Sequence, residues 1–238
     1  MVLAFAAILG GNLLEGGALA SLFNGPAALI VIGGTLAATV LQTSWPVLRR
    51  AVVQARWVFV PPYLDLEDGI GKVVDWSVKA RKQGLLGLEG LAELEPERFA
   101  RKGLQLLVDG AETDTIRSIL EVDLSAREQR DLDSARVFDA MGGYSPTIGI
   151  IGAVMGLIQV MTNLEDPAAL GSGIATAFVA TIYGVALANL LFFPVGNKLR
   201  SIARERSLYE DMMVDGIVAI AEGENPRAIE MRLRGFLP

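Results

Sequence analysis

The chain has 238 residues, 52% of them hydrophobic, with a mean hydropathy of +0.43 and a formal net charge of -6. That is too apolar for an ordinary soluble domain and fits a polytopic membrane protein with a water-facing part. The absence of cysteine and histidine excludes disulfides, thiol and imidazole catalysis and the commonest metal ligands. The acidic balance argues against nucleic acid as a partner.

Charge placement gives the first organisation. All 21 Lys and Arg fall within 49–136 and 198–234, and none within 1–48 or 137–197. By the positive-inside rule both basic blocks are cytoplasmic, so the uncharged stretches must cross the membrane in pairs, out and back.

The first stretch holds two apolar segments, "MVLAFAAILGGNLL" and "PAALIVIGGTLAATVLQ", joined by "EGGALASLFNG" as a short outer loop. Residues 1–14 rise only about 21 Å as a helix, against a hydrocarbon core of about 30 Å. The first helix therefore either runs past Glu15 to about Leu22, or the chain shown starts a few residues short. The missing basic n-region speaks against a cleaved signal peptide. Pro26 suits a first helical position, and Trp45 suits the interface just before Arg49 and Arg50. The second helix is expected to continue out of the membrane until "VPPY" stops it.

Residues 49–140 read as soluble and helical. Ile70, Val73, Val74 and Val78 give a helical stripe over 65–83, with Gly84 as its C-cap. Two short helices follow, broken near Pro96 and closed by Asp109-Gly110. A long helix is expected over 112–141, with Ile116, Ile119, Leu120, Leu124, Leu132 and Val137 as its apolar stripe. The second membrane pair is 146–163 and 171–193, joined by "LEDPAAL", whose Glu165 and Asp166 suit an outer loop. The tail is amphipathic and ends in a short helix with Asn225 as N-cap, Pro226 at N1 and Gly235 past its end. The expected fold is all-α: a polytopic membrane protein with four transmembrane helices in two hairpins and a helical cytoplasmic domain. The expected divisions are 1–44, 45–143, 144–194 and 195–238.

Lipid provides no hydrophobic drive between helices, so small residues mark close packing. Gly149, Gly152, Ala153 and Gly156 share one face of the third helix. Gly173, Ala177, Thr181, Gly184 and Ala188 share one face of the fourth. Such stripes mean two helices packed on each other or on a partner. The polar residues in these helices are Thr147, Gln159, Thr162, Thr176, Thr181, Tyr183 and Asn189, which can line an ion path or bond to a neighbouring helix. Segments 26–42, 146–163 and 171–193 contain no Asp or Glu. Membrane ion relays usually need a carboxylate or histidine in the core. If this chain conducts ions, the titrating carboxylate must come from a second chain. No phosphate loop, nucleophile elbow or catalytic carboxylate pair is visible, so an enzyme is not expected. On pattern alone, Arg81 and Glu89 belong to a solvated face.

"NGPAALIVIGGT", "RKQGLLGLE", "RKGLQLLVDG", "PTIGIIGAVMGLIQVM", "EDP", "LGSGIATAFVATIYGVALANLLFFPVGNKL" and "EGENPRAIE" together resemble the MotA/PomA flagellar motor stator subunits, and most nearly a MotC-like member. The likeness covers essentially the whole chain. It implies an inner-membrane proton channel subunit that couples ion flow to torque on the rotor protein FliG, with both termini cytoplasmic and no cofactor. The family's two coupling prolines match Pro146, opening the third helix, and Pro194, ending the fourth. Its hydroxyl near the ion path matches Thr181. Ala153 stands where sodium-driven members carry a threonine, as in proton-driven members. The rotor-facing arginine and glutamate match Arg81 and Glu89. The resemblance also implies a MotB-like partner that supplies a membrane aspartate and a peptidoglycan-binding domain. It implies a pentameric ring around a dimer of that partner, with the small-residue stripes as interfaces. A TolQ/ExbB-like energy coupler is the alternative. It shares the glycine-rich hairpin but has one membrane helix before its cytoplasmic region.

Overall fold

A computed structural model describes residues 6–7, 10–11, 13–14, 16, 19–162 and 167–237. Most of the first expected helix, and Glu165 and Asp166 of the loop "LEDPAAL", lie outside the described residues. Among those described, every regular element is helical. The chain divides into two units: 1–59 with 132–200, and 60–131 with 201–238.

In the first unit, helix α1 is Gly25–Gln42. Asn24 caps it in extended backbone, its side chain accepting from Ala27 N, and Pro26 falls in the first turn, one place beyond the expected position. A π turn, Leu29–Gly33, lies within α1. The helix does not continue toward "VPPY" as expected. Thr43 and Ser44 are extended, and helix α2 restarts at Trp45–Gln54, followed by a 3₁₀ turn, Ala55–Val58. Pro46 explains the break: it has no N–H for the Gln42 carbonyl, and its ring would strike that carbonyl if the helix ran through.

The second unit holds α3 (Leu66–Gln83), α4 (Glu89–Leu94) and α5 (Arg98–Val108). The Asp65 carboxylate caps α3 by accepting from Glu67 N and Asp68 N, and Gly84 ends it at φ 75°. Glu97 caps α5, and Gly110 turns the chain at φ 68°. These stops lie where Gly84, Pro96 and Asp109-Gly110 place them.

Helix α6, Thr113–Thr162, crosses from the second unit into the first. It merges the expected 112–141 helix with the third membrane helix, and Pro146 lies inside it rather than opening it. Proline gives up one backbone hydrogen bond. A long apolar helix held by its neighbours tolerates that loss. Helix α7 is Pro167–Leu187, and α8 is Phe193–Ala221, joined by a π turn, Ala188–Phe192. Pro194 therefore does not end the fourth helix. Phe193 N–H reaches back five residues to Ala188 O. This wider turn sits directly before the proline and makes room for its ring. Helix α9 is Pro226–Leu233, capped by Asn225 as expected. Gly235 falls inside a following 3₁₀ turn, Arg234–Phe236.

The two units bury their apolar residues differently. The second has an ordinary water-protein core: Val73, Leu88, Phe99, Leu104, Leu107, Ile116, Leu120, Met212, Ile217, Ile229 and Leu233 are fully enclosed. Glycines tighten it, since a Cβ on Gly69 would meet Met212 and Tyr209, and one on Gly103 would meet Ile217. In the first unit, small residues lie inside while Leu29, Leu41, Ile150, Ile158, Phe178 and Val185 lie exposed. That arrangement suits lipid rather than water. Three helical stretches among the described residues are long and apolar enough to cross a membrane: Gly25–Gln42, and windows within Thr113–Thr162 and Leu170–Ala221.

Candidate functional site

The first unit is organised around backbone contact between α6 and α7. A Cβ on Gly184 would lie 2.6 Å from Ser145 O and 3.1 Å from both Gly149 Cα and Pro146 Cα. One on Gly149 would lie 2.9 Å from Ala180 O. Gly156 and Gly173 face each other: the added carbon of the first would sit 2.8 Å from Gly173 O, and that of the second 2.9 Å from Gly156 O. Gly152 is held against Ala180 and Ile30 of α1. Ala177 is buried in the same seam. The glycines of both stripes therefore join the chain's own helix pair, the first of the two arrangements their spacing allowed. Gly149, Gly156, Gly173 and Gly184 are all buried against the facing helix of the same chain.

Pro146 and Gly184 are thus brought together, and Thr181 lies three residues before Gly184 on α7. Its hydroxyl donates to Ala177 O at 3.2 Å, and Asn189 Nδ2 donates to Val185 O at 2.9 Å. Thr181 and Asn189 line an apolar groove of about 520 Å3 with Ile182, Val185, Ala186 and Leu190. Ala153 is half-buried on α6, and Pro194 is half-buried beyond the π turn. Pro194 is about 15 Å along the helix axis from Gly184 and does not join the Pro146–Gly184 contact.

Polar residues at both ends of α1 complete this unit. Asn24 Nδ2 donates to Thr176 Oγ1 at 3.0 Å, Asn24 N donates to Tyr183 Oη at 3.3 Å, and Tyr183 donates to Leu22 O at 2.5 Å. At the other end Tyr144 donates to Gln42 Oε1 at 2.6 Å. Arg200 of α8 pairs with Asp139 of α6. Sequence reasoning passed over Asn24 and Gln42 as site residues. The available signal was a polar residue at each end of an apolar run. Replacing Asn24 by alanine removes the cap and the bond to Thr176. It is expected to destabilise the assembled protein by about 2 kcal/mol, read as a lower aggregation temperature in detergent.

In the second unit Arg81 is exposed in the last turn of α3, and Glu89 is exposed at the start of α4. Gly84 turns the chain between them, and fully buried Leu88 anchors the turn. The site therefore presents two opposite charges on a fixed corner. A buried ion network lies elsewhere in this unit. Glu210, 3% exposed, pairs with Arg206 at 3.1 Å and Arg127 at 3.6 Å. Arg206 also holds Asp131 at 3.3 Å, and Arg127 holds Asp123 at 3.2 Å. Burial pushes the Glu210 carboxyl above its ordinary range, against the pull of Arg206 and Arg127. Burial also works against the Asp123 charge, but Arg127 and Lys102 outweigh it and hold that carboxyl low.

Residues 92–212 match the family described as MotA/TolQ/ExbB proton channel family. Motility protein A of Bacillus subtilis is 34% identical, over 100% of this chain and 88% of its own length. The chain belongs to the MotA/TolQ/ExbB proton channel family. Chemotaxis protein PomA of Vibrio alginolyticus is 34% identical over 93% of this chain and 87% of its own. The MotAB structure from C. jejuni superposes with a TM-score of 0.94 at 31% identity, covering 100% of this chain and 93% of that one. The flagellar MotAB stator complex from Bacillus subtilis superposes at 0.91 and 34% identity, again over 100% and 93%. The chain is thus a membrane-embedded MotA-type protein of this family and not an enzyme.

Proposed function

We propose that this MotA-type chain is a flagellar motor stator subunit: part of a proton channel that couples ion flow to torque. The carrying observation is the α6–α7 pair. It is welded through Gly149, Gly156, Gly173 and Gly184, it presents Thr181 beside an open apolar groove, and its membrane segments, 146–163 and 171–193, carry no acid. The missing carboxylate is supplied by a MotB-type partner whose membrane helix seats in the groove beside Thr181. Protonation of that carboxylate changes its fit against the groove, and Pro146, pressed against Gly184, is the point at which α6 yields. Ala153 favours protons over sodium.

The chain crosses the membrane four times in two hairpins, with both termini cytoplasmic, and five copies surround the partner. The basic blocks at 49–136 and 198–234 support that orientation. Topology reporters test it: fusions at Asn24 report the outside and fusions at Trp57 the inside. An inside signal at Asn24 overturns the arrangement.

Arg81 and Glu89 press on charged residues of the rotor protein FliG. Their exposure on an anchored corner supports this. Arg81→Glu should weaken swimming and swarming, and a compensating charge reversal on the rotor should restore part of it. If charge reversals at both sites leave motility unchanged, the rotor contact is wrong. Proton flux through the complex co-expressed with an unplugged MotB-type partner tests the channel itself. Intact assembly without flux would leave only a packing scaffold. The TolQ/ExbB reading shares the family but not the likeness to MotA proteins over residues 1–91.

A further inference from the structure

The helix that follows the first described membrane span is neither part of that span nor covered on its outer side. Only Thr43 and Ser44, both extended, separate α1 from α2. Helix α2 buries Ala51 and Gln54 against its own unit and turns the opposite side outward. At about 100° per residue, Trp45, Arg49, Val52 and Val53 share that outer face. Trp45 is 71% exposed and Val52 68%, and Phe59 just beyond the 3₁₀ turn is 80% exposed.

The charges on the same stretch are uncompensated. Arg49 and Arg56 are exposed and Arg50 half-exposed. The side chains of these three arginines have no hydrogen-bond or ion-pair partner among the described residues. No Asp or Glu occurs anywhere in 16–64. An apolar face with unpaired arginines is a poor surface for water. It is a good one for the boundary between acyl chains and anionic headgroups, where arginine stems lie along apolar matter and their guanidinium groups reach phosphate. The immediate continuity with α1 puts α2 at that depth.

We infer that α2 lies flat in the bilayer interface and holds anionic phospholipid headgroups through Arg49, Arg50 and Arg56, with Trp45, Val52 and Phe59 seated at the acyl boundary. The bound lipid then fixes the height of α1 in the membrane.

The absence of cysteine makes a single probe simple to place. Val52→Cys in the full chain, co-expressed with its partner subunit, is labelled with a small fluorophore. The complex is reconstituted in bilayers containing brominated phosphatidylglycerol or an equal fraction of brominated phosphatidylcholine. Both lipids should quench the label, and the anionic one more strongly, with a preference of about fivefold per arginine at low salt. Raising the salt to about 0.5 M should shrink that preference. Combining Arg49→Gln, Arg50→Gln and Arg56→Gln should leave quenching intact and abolish the preference. If that variant fails to assemble, the salt series on the unaltered arginines still decides. Quenching by neither lipid, as when a second copy covers the face, overturns the inference. Equal quenching by both overturns it as well.

Discussion

Gly184→Val is expected to abolish motility and to lower sharply the yield of assembled complex. Even the first added carbon would sit 2.6 Å from Ser145 O, a backbone atom that cannot rotate away. Relief requires α6 and α7 to separate, which breaks the Gly149 and Gly156 contacts as well. Overpacking a side-chain core costs about 1–3 kcal/mol, and a backbone seam lies at or above the top of that range. Gly156→Val should behave alike, since its Cβ would lie 2.8 Å from Ala177 N. Gly143→Ala and Gly171→Ala are the controls: nothing lies within 4 Å of either added carbon, so soft-agar spreading and size-exclusion profile should stay normal. Normal spreading by Gly184→Val would show that the α6–α7 contact is dispensable for torque.

Arg206→Ala should produce the largest loss in the second unit. Arg206 holds Glu210 and Asp131 together, and both carboxylates are buried. Removing one member of a buried ion pair leaves a desolvated charge, at a cost of about 3 kcal/mol. Hydrogen exchange in α5 and α8 should then speed up by about a hundredfold. Unchanged protection would mean that Arg127 alone satisfies Glu210.

The same network sets a pH signature. Glu210 has a raised carboxyl pKa, so the folded state binds its proton more tightly than the unfolded chain does. Its contribution to stability grows as pH falls through the raised value toward the ordinary 4.5, and is lost as pH rises. Asp123 is held low and runs the other way, losing its contribution as pH falls. Subtracting the stability profile of Glu210→Gln from that of the parent isolates the Glu210 trend. The parent should gain on the variant as pH drops through that window. A flat difference would contradict the burial of Glu210.

Much of the architecture was legible in the chain. Stops that depend on one residue's backbone chemistry were correctly placed: Gly84, Pro96, Asp109-Gly110 and the Asn225 cap. The apolar stripe of Ile116 and Leu120 was legible too, because helical periodicity needs only local sequence. The charge-free membrane segments and their missing acid were read from composition alone. The family likeness rested on motifs spread over the whole length.

Other features required packing. Pro146 and Pro194 both look like helix boundaries, because proline disfavours a helix unless the surroundings make up the loss. In this protein a long helix and a π turn do so. Pro46, the proline that does break a helix, had no reading of its own, since the helix was expected to run on to "VPPY". The small-residue stripes were visible, but no spacing rule says whether a glycine face meets its own chain or another. The distances from Gly184 to Ser145 and from Gly156 to Gly173 decide that, and they join residues far apart in the sequence. The pairings of Asn24 with Thr176 and of Glu210 with Arg127 are likewise long-range. Sequence by itself determined where helices can form, which of them suit lipid, and that three of the apolar segments carry no acid. Only the tertiary structure decided which faces were already occupied, because close packing depends on the partner surface and not on the residue alone.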